Sequence, residues 1–427
     1  MRVAPRKLVA AIGGLILVAA VLYLLVGPRS TFGPPERHGP VAVVQHAEQA
    51  RLWVLTKQEE RRQVLVGVGR YSTGSVRTDT FYHFDLQAYD TRSAQPVWRR
   101  RLLTIGDKDA VRSTATTSRV VGHSARARIL GQDDDRVWLF LHDQPVALAA
   151  SDGTSRAGRE TLEQRNPPLK GLIPAEPGFV AFDGGLVIVT ADARRYVVRG
   201  PDHVAAPYSA RSEEHFRRLS FMSDQWNGSY RTGDFVTRQA TLEGKWLGLF
   251  SEREAADAGD DGFGAKLKDP KRVLDEGSQA RRALWSARIG RTRTFTEGAH
   301  DRLTDLSRHP GAPEFLQGGF LARAGIPQAL ALDDPKGLLV LHRTRLDAQG
   351  RLVLTRLDAR LAEVWRAALP LAELTHRWEW PGHLLLYGSA PTGGLDGPRG
   401  HHEYAVALDL RDGASRGWNV TTGTALP

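Results

Sequence analysis

The sequence predicts a mainly β fold, a ring of small antiparallel sheets behind one apolar N-terminal helix. Three observations carry that expectation. Strand-sized apolar runs recur along the chain, separated by Gly, Pro and Asp-Gly turns. A loose repeat with an Asp turn and a terminal Trp returns several times. Residues 8–26 form one uninterrupted apolar stretch.

The N-terminal stretch comes first in the chain. Residues 1–7 form a short basic segment with Arg2, Arg6 and Lys7, and residues 8–26 (LVAAIGGLILVAAVLYLLV) carry no charge. As a helix this run spans about 28 Å, close to the hydrocarbon thickness of a bilayer. Gly27-Pro28 ends the helix, and Tyr23 sits where an aromatic ring favours the interface. The flanking basic residues place the N-terminus in the cytoplasm and the rest of the chain on the far side. No A-x-A pattern follows, so the stretch reads as an uncleaved anchor. A cleaved signal peptide and a buried core helix are the competing readings. Residues 27–40 hold four prolines and three glycines and read as a tether. The folded domain is expected over residues 41–427, where no second long apolar run occurs.

Within that domain the strands read as 52–56 (LWVLT), 64–68 (VLVGV), 137–141 (VWLFL), 186–190 (LVIVT), 245–250 (KWLGLF), 338–342 (LLVLH) and 384–387 (LLLY). Most contain β-branched or aromatic residues, and the amphipathic helices of a parallel α/β sheet are missing. The repeat appears at residues 84–98 (FDLQAYDTRSAQPVW), 352–365 (LVLTRLDARLAEVW) and 404–418 (YAVALDLRDGASRGW). Residues 145–159 keep the Asp-Gly turn without the Trp, and Trp285 reads as the last strand of a further copy. An Asp turn between alternating strands is a hairpin signal, because Asp and Gly tolerate positive φ. Tandem hairpins of this kind predict a β-propeller of six or seven blades, with Trp filling the wedge between neighbours. Two stretches interrupt the pattern. Residues 211–226 read as an amphipathic helix, and residues 251–279 as an insertion that opens on a Ser251–Glu254 capping box.

The repeat "apolar–x–x–Asp–x–x–(x)–Gly–x–x–x–Trp" resembles the quinoprotein-type (PQQ-like) propeller family, most closely in the copies that end at Trp98 and Trp418. The chain is also similar to membrane-anchored envelope proteins of Gram-negative bacteria that carry such a propeller. The resemblance implies a periplasmic domain on the inner membrane and no particular activity. Quinone-dependent members place a vicinal disulfide over the cofactor and hold calcium with Glu, Asn and Asp. This chain has no Cys, and the sequence offers no matching ligand cluster, so no cofactor is expected.

Composition bounds the remaining classes. The absence of Cys excludes disulfides, thiolate metal sites, lipoprotein attachment and cysteine nucleophiles. The net charge of +10 comes from scattered Arg rather than a basic face, which argues against nucleic acid. Gly67-Val68-Gly69 opens like a dinucleotide fingerprint but no helix follows. Asp133-Asp134-Asp135 and residues 257–262 lack calcium-loop spacing, and His401-His402-Glu403 lacks the spacing of a helical metal pair, so no metal site is assigned. No catalytic residue is assigned either, although a triad assembled from remote residues stays open. The expected role is a non-catalytic scaffold that binds an envelope protein or a glycan. The candidate contact residues are Trp226, Tyr230, Arg231, Trp378 and Trp380, because aromatics and Arg dominate binding hot spots. Trp378 and Trp380 also suit a strand with one ring buried. The alternative is a propeller enzyme, an oxidoreductase or hydrolase, working at a central channel.

Overall fold

The computed structural model describes residues 29–427 apart from 67–74, 107–110, 115–116, 121–126, 210–211, 213–214, 217–218, 220–231, 261–280, 295–297, 324–327, 334, 348, 393–399 and 427. The fold is mainly β and consists of several antiparallel sheets. It divides into two compact units. One comprises Met1–Ala47, Trp53–Ala88 and Trp98–Ser223, and the other Glu48–Leu52, Tyr89–Val97 and Asp224–Pro427.

The first sheet is a meander of Gln49–Val66, Ser75–Asp90 and Pro96–Gly106, edged by three short strands that all pair with Gln49–Val66. Alternation explains its core: Trp53 and Leu55 face Phe84 and Leu86 in one buried cluster. The second meander runs Ala127–Asp133, Arg136–Leu141, Gln144–Ala149 and Ser155–Ala157. Every residue of Arg136–Leu141 is buried, as in a strand covered on both faces. A third meander runs Val180–Phe182, Leu186–Val189, Arg195–Arg199 and Val204–Pro207. The short helix Arg159–Arg165 precedes it and buries Leu162 in the core shared by these strands.

In the second unit, Gln239–Leu242, Lys245–Phe250, Arg281–Thr294 and Gly298–Arg308 form one meander. Phe315–Leu321, Lys336–Arg343, Leu352–Asp358 and Glu363–Ala368 form the next. Among the described residues, only Arg281↔Leu316 and Arg282↔Phe315 join them into one larger sheet. The last meander is Glu373–Trp380, His383–Thr392, Gly400–Asp409 and Ser415–Asn419, with Thr424–Ala425 at its edge.

The repeat copies fold as hairpins, three with one recurrent turn and residues 352–365 with a turn one residue shorter, Asp358 N–H on Ala362 O. Asp90 N–H bonds Gln95 O while Ala94 N–H bonds Asp90 O; Ala149 with Thr154 and Gly153, and Asp409 with Ala414 and Gly413, repeat the pattern. The fifth turn residue has positive φ each time: 55° at Ala94, 68° at Gly153 and 76° at Gly413. The Asp side chains tie the turns down. Asp90 Oδ1 accepts from the Arg92 and Ser93 amides, and Asp409 Oδ1 from the Arg411 amide.

These turns seat the tryptophans. Trp98 lies against Gly153, where an added methyl would sit 2.6 Å from ring carbon Cη2. Trp365 lies against Gly413, where it would sit 2.7 Å from Cδ2. Each indole therefore packs on the Asp-Gly turn of the meander that follows it, or of the one after its own. Arginines reach across in the same sense: Arg100 Nε donates to Asp152 O at 3.2 Å, Arg136 to Gly200 O, and Arg356 to Leu410 O at 2.8 Å.

Several expectations are corrected. Trp285 is not on a last strand. It sits on Arg281–Thr294 between two partners, opposite Gly248 and Arg308, and its indole donates to Phe250 O at 3.1 Å. Part of the expected tether is paired: Arg29–Phe32 and Glu36–Arg37 add to the edge of Gln49–Val66. An edge tolerates the intervening Pro34-Pro35, which have no amide to give. The anchor at residues 8–26 lies outside the described residues. Among the described residues no helix is long and apolar enough to cross a membrane.

Of residues 211–226 only four are described. Among them Phe216 N–H bonds Ser212 O and Leu219 N–H bonds His215 O, with Phe216 and Leu219 packed on Ala181, Val187 and Val197. The stretch after residue 250 opens with helix Glu252–Asp260, and its capping box forms reciprocally. Ser251 N–H reaches Glu254 Oε2 at 2.9 Å, and Glu254 N–H reaches Ser251 Oγ at 3.2 Å.

Candidate functional site

Strand Glu373–Trp380 turns at Pro381-Gly382 into His383–Thr392. The period of two puts His376, Trp378 and Trp380 on one face. Both tryptophans are half-buried, and each is stacked on a histidine. Trp378 lies 5.6 Å from His376 at 8°, and Trp380 lies 5.1 Å from His383 at 8°. The alternative reading, a strand with one ring buried, holds for the strand, but neither ring is buried.

Trp380 walls a cleft of about 790 Å³ in the second unit. The exposed residues Asp333, Asp409 and Arg411 line it, as do Arg356 and Glu379, whose carboxylate pairs with Arg377. Trp378 is not among its lining residues. Arg356 is buried and serves as a clamp, donating to Leu410 O at 2.8 Å, Arg411 O at 3.1 Å and Pro335 O at 3.0 Å. Trp365 Nε1 reaches the same Leu410 O at 3.2 Å. Burial holds the His383 imidazole below its ordinary range, with Arg92 acting in the same direction and Asp409 and Asp90 against it. His383 therefore stays neutral at pH 7 and backs the indole as a flat aromatic surface. Asp409 Oδ1 is occupied by its own turn, whereas Asp333 is exposed at the rim. The arrangement offers one aromatic wall and several hydrogen-bonding groups of both signs, which suits a polar ligand with an apolar face.

Of the residues singled out from sequence, the structure brings only Trp380 to this cleft. Trp226, Tyr230 and Arg231 lie outside the described residues. Sequence reasoning missed Arg356, Asp333, Glu379 and Asp409. Asp409 was legible as the Asp of a repeat turn, but nothing in the sequence places that turn beside Trp380-Pro381-Gly382. Residues 413–417 (GASRG) have Gly-x-Ser-x-Gly spacing. They run from a hairpin turn into strand Ser415–Asn419, not into a helix, so Ser415 is not held on a nucleophile elbow. Among the described residues no three potential metal ligands cluster.

No family model matches the chain, and no curated protein matches it. A solved structure described as "Crystal structure of the eukaryotic initiation factor" aligns over 93% of this chain and 86% of its own, at 9% identity and a TM-score of 0.17. A likeness at that level carries no argument.

Proposed function

We propose that the chain is a six-bladed β-propeller on a single N-terminal membrane anchor, with its domain in the periplasm. In this reading it serves the envelope as a non-catalytic binding module, and its ligand is a glycan held in the Trp380 cleft. Six meanders support that blade count. Two come from the sheet joined at Arg281↔Leu316 and one from each other sheet of four or more strands. The recurrent turn and the Trp-on-Gly packing support a tandem repeat. The anchor rests on residues 1–26 of the sequence alone.

The single observation that carries the ligand assignment is the cleft wall. A flat indole backed by a neutral imidazole, with the exposed residues Asp333, Asp409 and Arg411 around it, matches a sugar ring. Its C–H face stacks on an aromatic, and its hydroxyls take charged hydrogen-bond partners. The test is titration calorimetry of the full chain in detergent with soluble peptidoglycan fragments. Binding by the parent protein is expected, together with a loss of at least about tenfold in Trp380→Ala, the size of a hot-spot residue. No binding, or equal binding by the variant, removes the reading.

A further inference from the structure

The first sheet carries a hydrogen-bonded relay. Glu60, His83 and Thr104 stand on three successive strands, Gln49–Val66, Ser75–Asp90 and Pro96–Gly106. His83 Nε2 is 2.8 Å from Glu60 Oε2, and His83 Nδ1 is 2.9 Å from Thr104 Oγ1. Glu60 and His83 are each 4% exposed, whereas Thr104 is exposed. A buried carboxylate, a buried imidazole and an exposed hydroxyl are thus in line.

The direction of the relay follows from what each group can donate. The second oxygen of Glu60 accepts from Ser30 Oγ at 2.7 Å and from Arg62 Nη2 at 3.0 Å. Burial alone would raise the Glu60 pKa, but the hydrogen bonds from Ser30, His83 and Arg62 outweigh it and hold the carboxyl down at about 2. An ionised carboxylate only accepts, so the imidazole proton must sit on Nε2. In the neutral imidazole Nδ1 then presents its lone pair to Thr104, and the hydroxyl donates to it. This is the acid–base–nucleophile order of an acyl-transfer triad, with the two imidazole nitrogens exchanged. Both guanidinium groups nearby already have carboxylate partners: Arg62 pairs with Glu60 itself at 3.0 Å, and Arg101 with Asp85 at 2.8 Å.

We infer that Thr104, His83 and Glu60 form a nucleophilic site that cleaves small acyl esters, an activity separate from the Trp380 cleft. Thr104 Oγ1 attacks the ester carbonyl as His83 Nδ1 takes its proton. The ester C–O bond breaks, and the leaving alkoxide carries that proton away. Water, activated by the same nitrogen, then releases the acid and restores Thr104.

The test uses the full chain in detergent, with a fluorophosphonate as covalent probe and p-nitrophenyl acetate as substrate. Peptide mapping is expected to find the phosphonyl group on Thr104 and on the Ser of Thr104→Ser, and nowhere in Thr104→Ala. Ester turnover is expected to fall at least about 100-fold in Thr104→Ala and in Glu60→Gln, the scale of lost base catalysis. Thr104 is at the surface, so its variants leave the fold intact even if Glu60→Gln does not. No adduct on the parent chain, an adduct at another residue, or unchanged turnover in Thr104→Ala overturns the inference.

Discussion

Gly413→Ala tests the seat of Trp365. Gly413 has φ of 76°, and a methyl there would lie 2.7 Å from Cδ2 and 2.9 Å from Cγ of Trp365. Two costs combine. An alanine in the left-handed region costs about 1–2 kcal/mol. Overpacking against a buried ring adds about 1–3 kcal/mol, and the less flexible unfolded chain returns about 0.4–1 kcal/mol. The expected net loss is about 1–5 kcal/mol, centred near 3. Gly423→Ala is the control, because Gly423 has φ of 73° and nothing within 4 Å of an added methyl. It should lose only about 1 kcal/mol. Urea unfolding of the full chain, followed by circular dichroism, measures both. Trp365→Leu makes room for the methyl, so its combination with Gly413→Ala should cost at least about 1 kcal/mol less than the sum of the two. Equal losses at Gly413 and Gly423, or strict additivity with Trp365→Leu, would refute the docking of the indole on this turn.

Three further outcomes follow. Glu254→Ala strips Arg282, whose side chain is 0% exposed, of its carboxylate at 2.9 Å and also opens the capping box, so the same unfolding assay should show a loss of about 3–5 kcal/mol. His342 is buried against Phe315, with Nε2 2.9 Å from Thr355 Oγ1. Burial, with Arg366 adding to it, holds its pKa down at about 4 against an ordinary 6.5. The unfolded chain therefore takes the proton first, and stability should fall as pH drops from 6.5 towards 4, with a shallower fall in His342→Gln measured over the same range. Glu60 has the opposite chemistry with the same outcome at lower pH. Its depressed pKa contributes stability above the ordinary value of 4.5 that is lost as pH falls towards 2, and Glu60→Gln should flatten that part of an acid-unfolding curve.

The hairpins were legible because their information is local. Residues 84–98, 352–365 and 404–418 carry strand, Asp turn and strand within fifteen positions, and all three fold so. The Ser251–Glu254 box was legible for the same reason. Trp285 was misplaced because Ala283-Leu284-Trp285 has the composition of an outer strand, while its position depends on partners in Lys245–Phe250 and Gly298–Arg308. The relay of Glu60, His83 and Thr104 was invisible because long strands set its register, and no short motif spans those separations. The cleft was half legible. Trp380 stood out as an aromatic, but Arg356 lies in an apolar strand (LVLTRLD) where an exposed orientation is the ordinary reading. Only the carbonyls of Leu410, Arg411 and Pro335 make its burial tolerable.

The housing of each indole on somebody else's turn has a consequence for how this chain can be edited. Trp98 borrows its resting place from Gly153, and Trp365 borrows its own from Gly413. A cut that excises one hairpin module therefore orphans a large ring in the module left behind, as well as losing the contacts of the piece removed. Viable deletions and duplications in this lineage should carry donor and recipient together, and connectors outside the Asp-Gly bends should absorb added residues first.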